Sequence, residues 1–196
     1  MVSLLTICIK MLQSRQRGIG NNSVANINFQ FDRRKAVEAI LYLAKRISDS
    51  DIYGICKLLY LVDKTCLEKY GRFIFGETYY AMQEGSTPSN AYDLLKEAAQ
   101  TPIDELQVKG NQVIALRDAN LDYLSKSDIE CLDQIIEVWG KVPNWSRREA
   151  AHDDAWKQAW GKRRNKGSEK IPIESIAALL ADSDDLINYL SNSDNG

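Results

Sequence analysis

The chain has 196 residues, 44% hydrophobic and 27% charged, enough for one domain with a real core and typical of globular composition. A formal net charge of −2 argues against a surface built throughout for nucleic acid. Basic against acidic residues number six to one over 1–35, ten to seventeen over 36–140, nine to four over 141–170 and none to five over 171–196. An acidic body with two basic segments and an acidic tail suggests polar contacts with a partner or between parts of the chain.

The N-terminal VSLLTICIKML is apolar, but no basic residue precedes it, Lys10 interrupts it, and Arg15 and Arg17 follow. That order speaks against a secretion signal, and the run is too short to span a bilayer. Residues 1–30 are expected to form a loosely ordered extension. Cys8, Cys56, Cys66 and Cys131 show neither a Cys-x-x-Cys pair nor a secreted-type spacing, so a reduced, cytoplasmic protein is expected. Together with His152 the last three match no familiar zinc-ligand spacing, and no metal or cofactor is expected.

From Phe31 onward helices dominate. Asp32 can cap a helix with Val37, Ile40, Leu41 and Ala44 inward and Arg33, Arg34, Glu38 and Lys45 left for solvent. Ser48 to Asp51 breaks it and can cap a second helix, about Ile52 to Tyr70. Its stripe of Ile55, Leu58, Leu59, Val62 and Cys66, widened by Leu61 and Leu67, marks it as central to the core. Gly71 is its stop. Pro88-Ser89 opens a third helix with Ala91, Tyr92, Leu95 and Ala98 inward, closed by Thr101-Pro102. Leu106–Val108 and Val113–Leu116 flank Gly110-Asn111, a two-residue hairpin turn with glycine first, and the hairpin must lie on helices to be stable. Ser127 to Glu130 reads as a capping box opening a helix with Ile129, Leu132, Ile135, Ile136 and Trp139 inward, ended by Gly140 and Pro143. Arg147 to Trp160 reads as one further helix and Gly161 to Gly167 as a basic loop. Ile173 to Leu190 reads as a helical region broken near Ser183. The expectation is a mainly α single domain of about seven to eight helices with one small β-hairpin.

The order of motifs resembles a known family. Lys57-Leu58-Leu59-Tyr60-Leu61-Val62-Asp63, then Glu68-Lys69-Tyr70-Gly71, Gly76, Tyr79-Tyr80-Ala81-Met82, Gly85-Ser86-Thr87-Pro88 and Tyr92-Asp93-Leu94-Leu95-Lys96 resemble the Panacea (SocA-like, phage-associated) domain. Leu124-Ser125, Asp128, Leu132-Asp133, Gly140, His152 and Trp156 resemble its second half. The likeness covers about Asp32 to Trp160, so residues 31–160 are expected to form the domain and residues 161–196 to complete it with a basic loop and helices. Ser86-Thr87 departs from the family's Pro-Val. The resemblance implies an antitoxin, not an enzyme, that neutralises a cognate protein toxin by direct binding, some members acting as adaptors to a protease. No membrane role is expected.

Candidate residues follow. Phe73, Phe75, Tyr79, Tyr80 and Thr87, with the Gly85 to Ser89 turn, are candidates for an exposed toxin-binding surface, the aromatics alternatively packing under the hairpin. Lys57, Tyr60 and Asp63 either line a groove or form a hydrogen-bond set at the helix edge. His152 beside Asp153 is the one pair resembling an acid/base site, and we read it as structural because no nucleophile is placed near it. Lys162, Arg163 and Arg164 anchor the alternative reading, a DNA-binding or phage-associated regulator, against which stands the lack of a nucleic-acid-binding motif.

Overall fold

The computed structural model describes residues 30–164 and 167–193. The expected extension, apart from Gln30, lies outside the described residues, as do the apolar N-terminus, Cys8 and two residues of the basic loop. The described chain is mainly α, with eight helices and two small antiparallel sheets. The helices are α1 (Arg33–Arg46), α2 (Ile52–Tyr70), α3 (Ser89–Gln100), α4 (Lys126–Trp139), α5 (Asn144–Ala150), α6 (Asp154–Lys162), α7 (Ile173–Ala177) and α8 (Ser183–Ser193). The strands are β1 (Tyr79–Met82), β2 (Gly85–Pro88), β3 (Leu106–Lys109), β4 (Gln112–Ala115) and β5 (Glu169–Lys170). None of the helices is long and apolar enough to cross a membrane.

The first two helices start where their caps dictate. Asp32 accepts from the Lys35 amide at 3.0 Å and Asp51 from the Gly54 amide at 2.6 Å, satisfying orphan donors of the first turn. Ile55, Leu58, Leu59, Val62, Cys66 and Leu67 of α2 are all fully buried. Helix α2 is therefore the spine of the domain. It ends at Gly71, left-handed at φ 65° with its amide bonded to the Leu67 carbonyl, a conformation glycine adopts without strain.

Two hydrophobic clusters meet on this spine. The larger joins α1, α2, α3 and α4 with Leu106, Val108 and Val113 of the β3–β4 hairpin. That hairpin turns at Gly110-Asn111 as expected, in the register Lys109 opposite Gln112. The smaller gathers Tyr60, Leu67, Phe73, Tyr79 and Ala81 with Ala151, Ala155, Ala159, Ile171, Ile176 and Leu190. Residues beyond 160 thus complete the core: β5 pairs with β1, and the helical C-terminal region is broken between Ala177 and Ser183.

Four local expectations are corrected. A second hairpin exists: β1 pairs with β2 in the register Met82 opposite Gly85, so Gly85 to Pro88 is a buried strand rather than a turn. Its Ser-Thr pair is held from outside, the Ser86 hydroxyl donating to the Ala151 carbonyl at 3.0 Å. Glu38 is fully buried rather than in solvent, because Arg117 reaches it with both terminal nitrogens at 2.7 Å and the Asn120 amide at 2.8 Å. Burial alone would raise the Glu38 carboxyl; these donors hold it below its ordinary value.

The capping box lies two residues earlier than read. Ser125 and Asp128 bond each other's amides at 2.8 and 3.2 Å, and Ser127 instead accepts from Arg72 at 2.7 Å. Finally, Arg147 to Trp160 is two helices. Asp153 accepts from the Trp156 amide at 3.1 Å, and this side-chain cap starts α6 afresh.

Candidate functional site

Three polar residues spaced three apart on α2 face three different elements. Lys57 is 2% exposed and donates to the Ser86 carbonyl at 3.1 Å and the Thr87 hydroxyl at 3.4 Å, both on β2. Tyr60 donates to Asp153 at 2.8 Å, at the start of α6. Asp63 accepts from the Ile74 amide at 2.8 Å and the Tyr79 hydroxyl at 2.8 Å. The helix-edge hydrogen-bond reading therefore holds for Tyr60 and Asp63. Lys57 does both jobs, since it also lines a groove.

Burial acts on these groups in opposite directions. It raises the Asp63 carboxyl to about 7, against the two hydrogen bonds that lower it, and lowers the Lys57 ammonium to about 8. Asp153 pairs with Lys64 at 2.6 Å as well as with Tyr60. Its carboxylate is thereby committed to α2 and to the α6 cap. His152 bonds the Gln83 backbone and packs its ring 4.0 Å from that of Trp156, whose indole donates to the Met82 carbonyl at 2.9 Å. Its Nε2 is buried without a hydrogen-bond partner. Burial, with the nearby charges of Arg148 and Lys57, lowers the imidazole below its ordinary value.

The groove, about 370 Å³, lies where the start of α2, the β1–β2 turn and α5 meet. Tyr53 and Trp145 stand at it 46% and 68% exposed. Arg148 pairs with Glu84 at 3.0 Å across it. Asp51 is committed to capping α2 and to the Asn144 amide. Gly85, next in sequence to the groove's Glu84, has φ 107°, a conformation that favours glycine, and a Cβ there would stand 3.2 Å from both His152 Nε2 and Lys57 Cε.

The candidate binding residues are placed differently from expectation. Phe73, Phe75, Tyr79 and Thr87 are buried at 5% exposure or less. Phe73 and Tyr60 each meet Tyr79 edge to face, the packing arrangement rather than the exposed one. Only Tyr80 of the five is partly exposed. Among the motif residues, Gly76, Gly85 and Pro88 are buried, Tyr92 and Trp156 half-buried, and Tyr70 is exposed with its hydroxyl on Glu130 at 2.7 Å. Of the basic run, Lys162 ends α6 and Arg164 is exposed, while Arg163 lies 3.5 Å over the Trp160 ring.

The sequence reading missed the rim. Tyr53 lies in the first turn of α2 off its apolar stripe, and Trp145 is an isolated aromatic 92 positions on, so only the fold brings them together. It also missed Arg147, fully buried and donating to the carbonyls of Trp139 (3.0 Å), Asp49 (2.8 Å) and Gly140 (3.0 Å). Glu77 went unnoticed too. Its carboxylate accepts from the Asn90 and Ala91 amides at 3.0 and 2.8 Å, capping α3 where Pro88 has no side chain to do so.

The fold and groove describe a helical scaffold whose buried polar groups are mostly bonded to one another and whose exposed Tyr, Trp and Arg converge on one concave surface, the composition of protein-binding hot spots. Residues 55–157 match the family described as Antitoxin SocA-like, Panacea domain, and the chain, more than half of it matched, belongs to that family. Comparison with curated proteins and with solved structures gives no match.

Proposed function

We propose that the chain is a cytoplasmic antitoxin that neutralises a protein toxin by direct binding, without chemistry of its own. Membership of the SocA-like Panacea family over residues 55–157 carries this reading. The geometry supports it in two ways. Asp153, the acidic half of the His152–Asp153 pair, is taken up by Tyr60, Lys64 and the α6 cap. The exposed Tyr53 and Trp145 stand on one groove, offering aromatic area to a folded partner. An adaptor role, in which the bound toxin is passed to a protease, uses the same surface.

The test is co-expression with the neighbouring gene. Its product should stop growth alone, permit growth together with this chain, and co-purify with it. A neighbour that is harmless by itself, with no protein co-purifying at fixed stoichiometry, refutes the reading. Adding a protease inhibitor separates blocking from delivery: a blocker leaves the toxin level unchanged, whereas an adaptor lowers it until the protease is inhibited.

A further inference from the structure

The groove holds a charge that its own walls answer only in part. Of its two cations, Arg148 is paired with Glu84. Lys57 has an ammonium with three donors but only two acceptors, both neutral and one as far as 3.4 Å. The second acidic group at the groove, Asp51, is spent on the α2 cap and on Asn144. An ammonium that is nearly buried and has no carboxylate in direct contact costs desolvation free energy that its two neutral acceptors and the more distant charges of Glu84 and Asp51 recover only in part. Behind Gly85, His152 Nε2 is a further buried nitrogen without a partner. Beside this polar floor, Tyr53 and Trp145 offer apolar faces to solvent.

We propose that this groove takes an exposed segment of the toxin bearing a carboxylate next to an apolar side chain, the carboxylate on Lys57 and the apolar group against Tyr53 and Trp145. The inference rests on the antitoxin reading for the identity of the partner, and on the groove alone for its chemistry. A basic segment would add its charge to Lys57 and Arg148 and would have to compete for carboxylates already engaged, Glu84 by Arg148 and Asp51 by the α2 cap and Asn144. A purely apolar segment would bury Lys57 further with its charge still unmatched.

The experiment uses the full chain in two arms. In the first, affinity for the toxin encoded beside it is measured by calorimetry. Trp145→Ala and Tyr53→Ala should each weaken binding by about thirtyfold with the melting temperature unchanged. Glu84→Gln, which frees Arg148 on an exposed turn, should tighten it severalfold, and Lys57→Met should weaken it. Unchanged affinity for Trp145→Ala overturns the groove while leaving the antitoxin reading intact, and weaker binding by Glu84→Gln overturns the carboxylate.

In the second arm, a random peptide library is selected on the wild-type chain, with no toxin involved. Peptides joining Asp, Glu or a free C-terminus to an apolar residue should be enriched and should fail on Trp145→Ala. Enrichment of basic peptides, or of none, overturns the proposal even if the toxin binds. A neighbour that does not bind, together with acidic–apolar peptides that do, instead sinks the antitoxin reading and leaves the groove chemistry standing.

Discussion

Asp63→Asn should make the domain more stable above neutral pH and flatten its dependence on pH. Asp63 is fully buried, and its carboxyl is raised from 3.8 to about 7. The folded state therefore holds a proton there that the unfolded state has released, and stability falls as pH rises between the two values. Below the unfolded value both states are protonated and the group contributes nothing; above about 7 the full penalty of a buried charge is present. The gap of about three pH units, at about 1.4 kcal/mol each, caps that penalty at about 4 kcal/mol.

Asparagine fits the same place. Its carbonyl can accept from the Ile74 amide as Asp63 Oδ1 does, and its amide can donate to the Tyr79 hydroxyl, which retains the Leu59 carbonyl at 3.2 Å as its own acceptor. Urea unfolding of wild type and variant at about pH 5 and about pH 8 isolates the effect, since most other titrating groups are common to both. Relative to the variant, the wild type should lose about 2–3 kcal/mol between those two values. A stability difference that is constant with pH, or a variant that is worse at the higher pH, refutes a proton on Asp63 and points to a charge stabilised by its two donors.

Other outcomes follow from burial and pairing. Leu59→Ala, at a fully buried site of α2, should cost about 2–5 kcal/mol by chemical denaturation; neutralisation should be lost only under conditions where the variant is unfolded. Arg147→Met would strand the carbonyls of Trp139, Asp49 and Gly140. A loss of about 2–5 kcal/mol is expected, and a loss below about 1 kcal/mol would show that water replaces the guanidinium. Replacing Lys162, Arg163 and Arg164 together by alanine should leave toxin binding unchanged. Steeply salt-dependent binding of the chain to its own promoter DNA that vanishes in this triple variant would instead revive the regulatory reading.

What the sequence made legible is what short-range chemistry determines. Asp32, Asp51, Gly71 and the Gly110-Asn111 turn act on their own neighbours, so their roles could be read from spacing. The apolar stripe of α2 likewise declares its burial through periodicity. Glu38 and Arg147 could not be read this way. Each is a charged residue on a helix, and each is buried only because the fold brings distant donors or acceptors to it, Arg117 from 79 positions away and Asp49 from 98. The β1–β2 hairpin failed for a related reason. Gly-Ser-Thr-Pro has turn composition, and it becomes a strand because Lys57 and Ala151 bond it from either side. The candidate site misled in the same direction. A dense run of aromatics suggested a surface, but aromatic side chains carry much apolar area that is favourable to bury, and the core claimed it.

That division bears on how the domain can bind without losing its fold. Lys57, Tyr60 and Asp63 tie α2 to β2, to α6 and to the segment leading into β1, so a change at any of them moves several elements together. Tyr53 and Trp145 carry no comparable obligation: both are substantially exposed, and truncating an exposed side chain shifts stability by only about half a kcal/mol. Lys57 is the point where the two sets touch, because the residue whose ammonium holds β2 from within also lines the groove. A partner that satisfies its charge would therefore also fix the strand beside it. Binding at this groove should then stabilise the β1–β2 hairpin first, and amide exchange at Ser86 should slow on complex formation more than at Leu132 in α4, next to Cys131, which meets Cys66 toward the far end of α2. Equal slowing at both would mean that the partner stabilises the domain as a whole and makes no special use of Lys57.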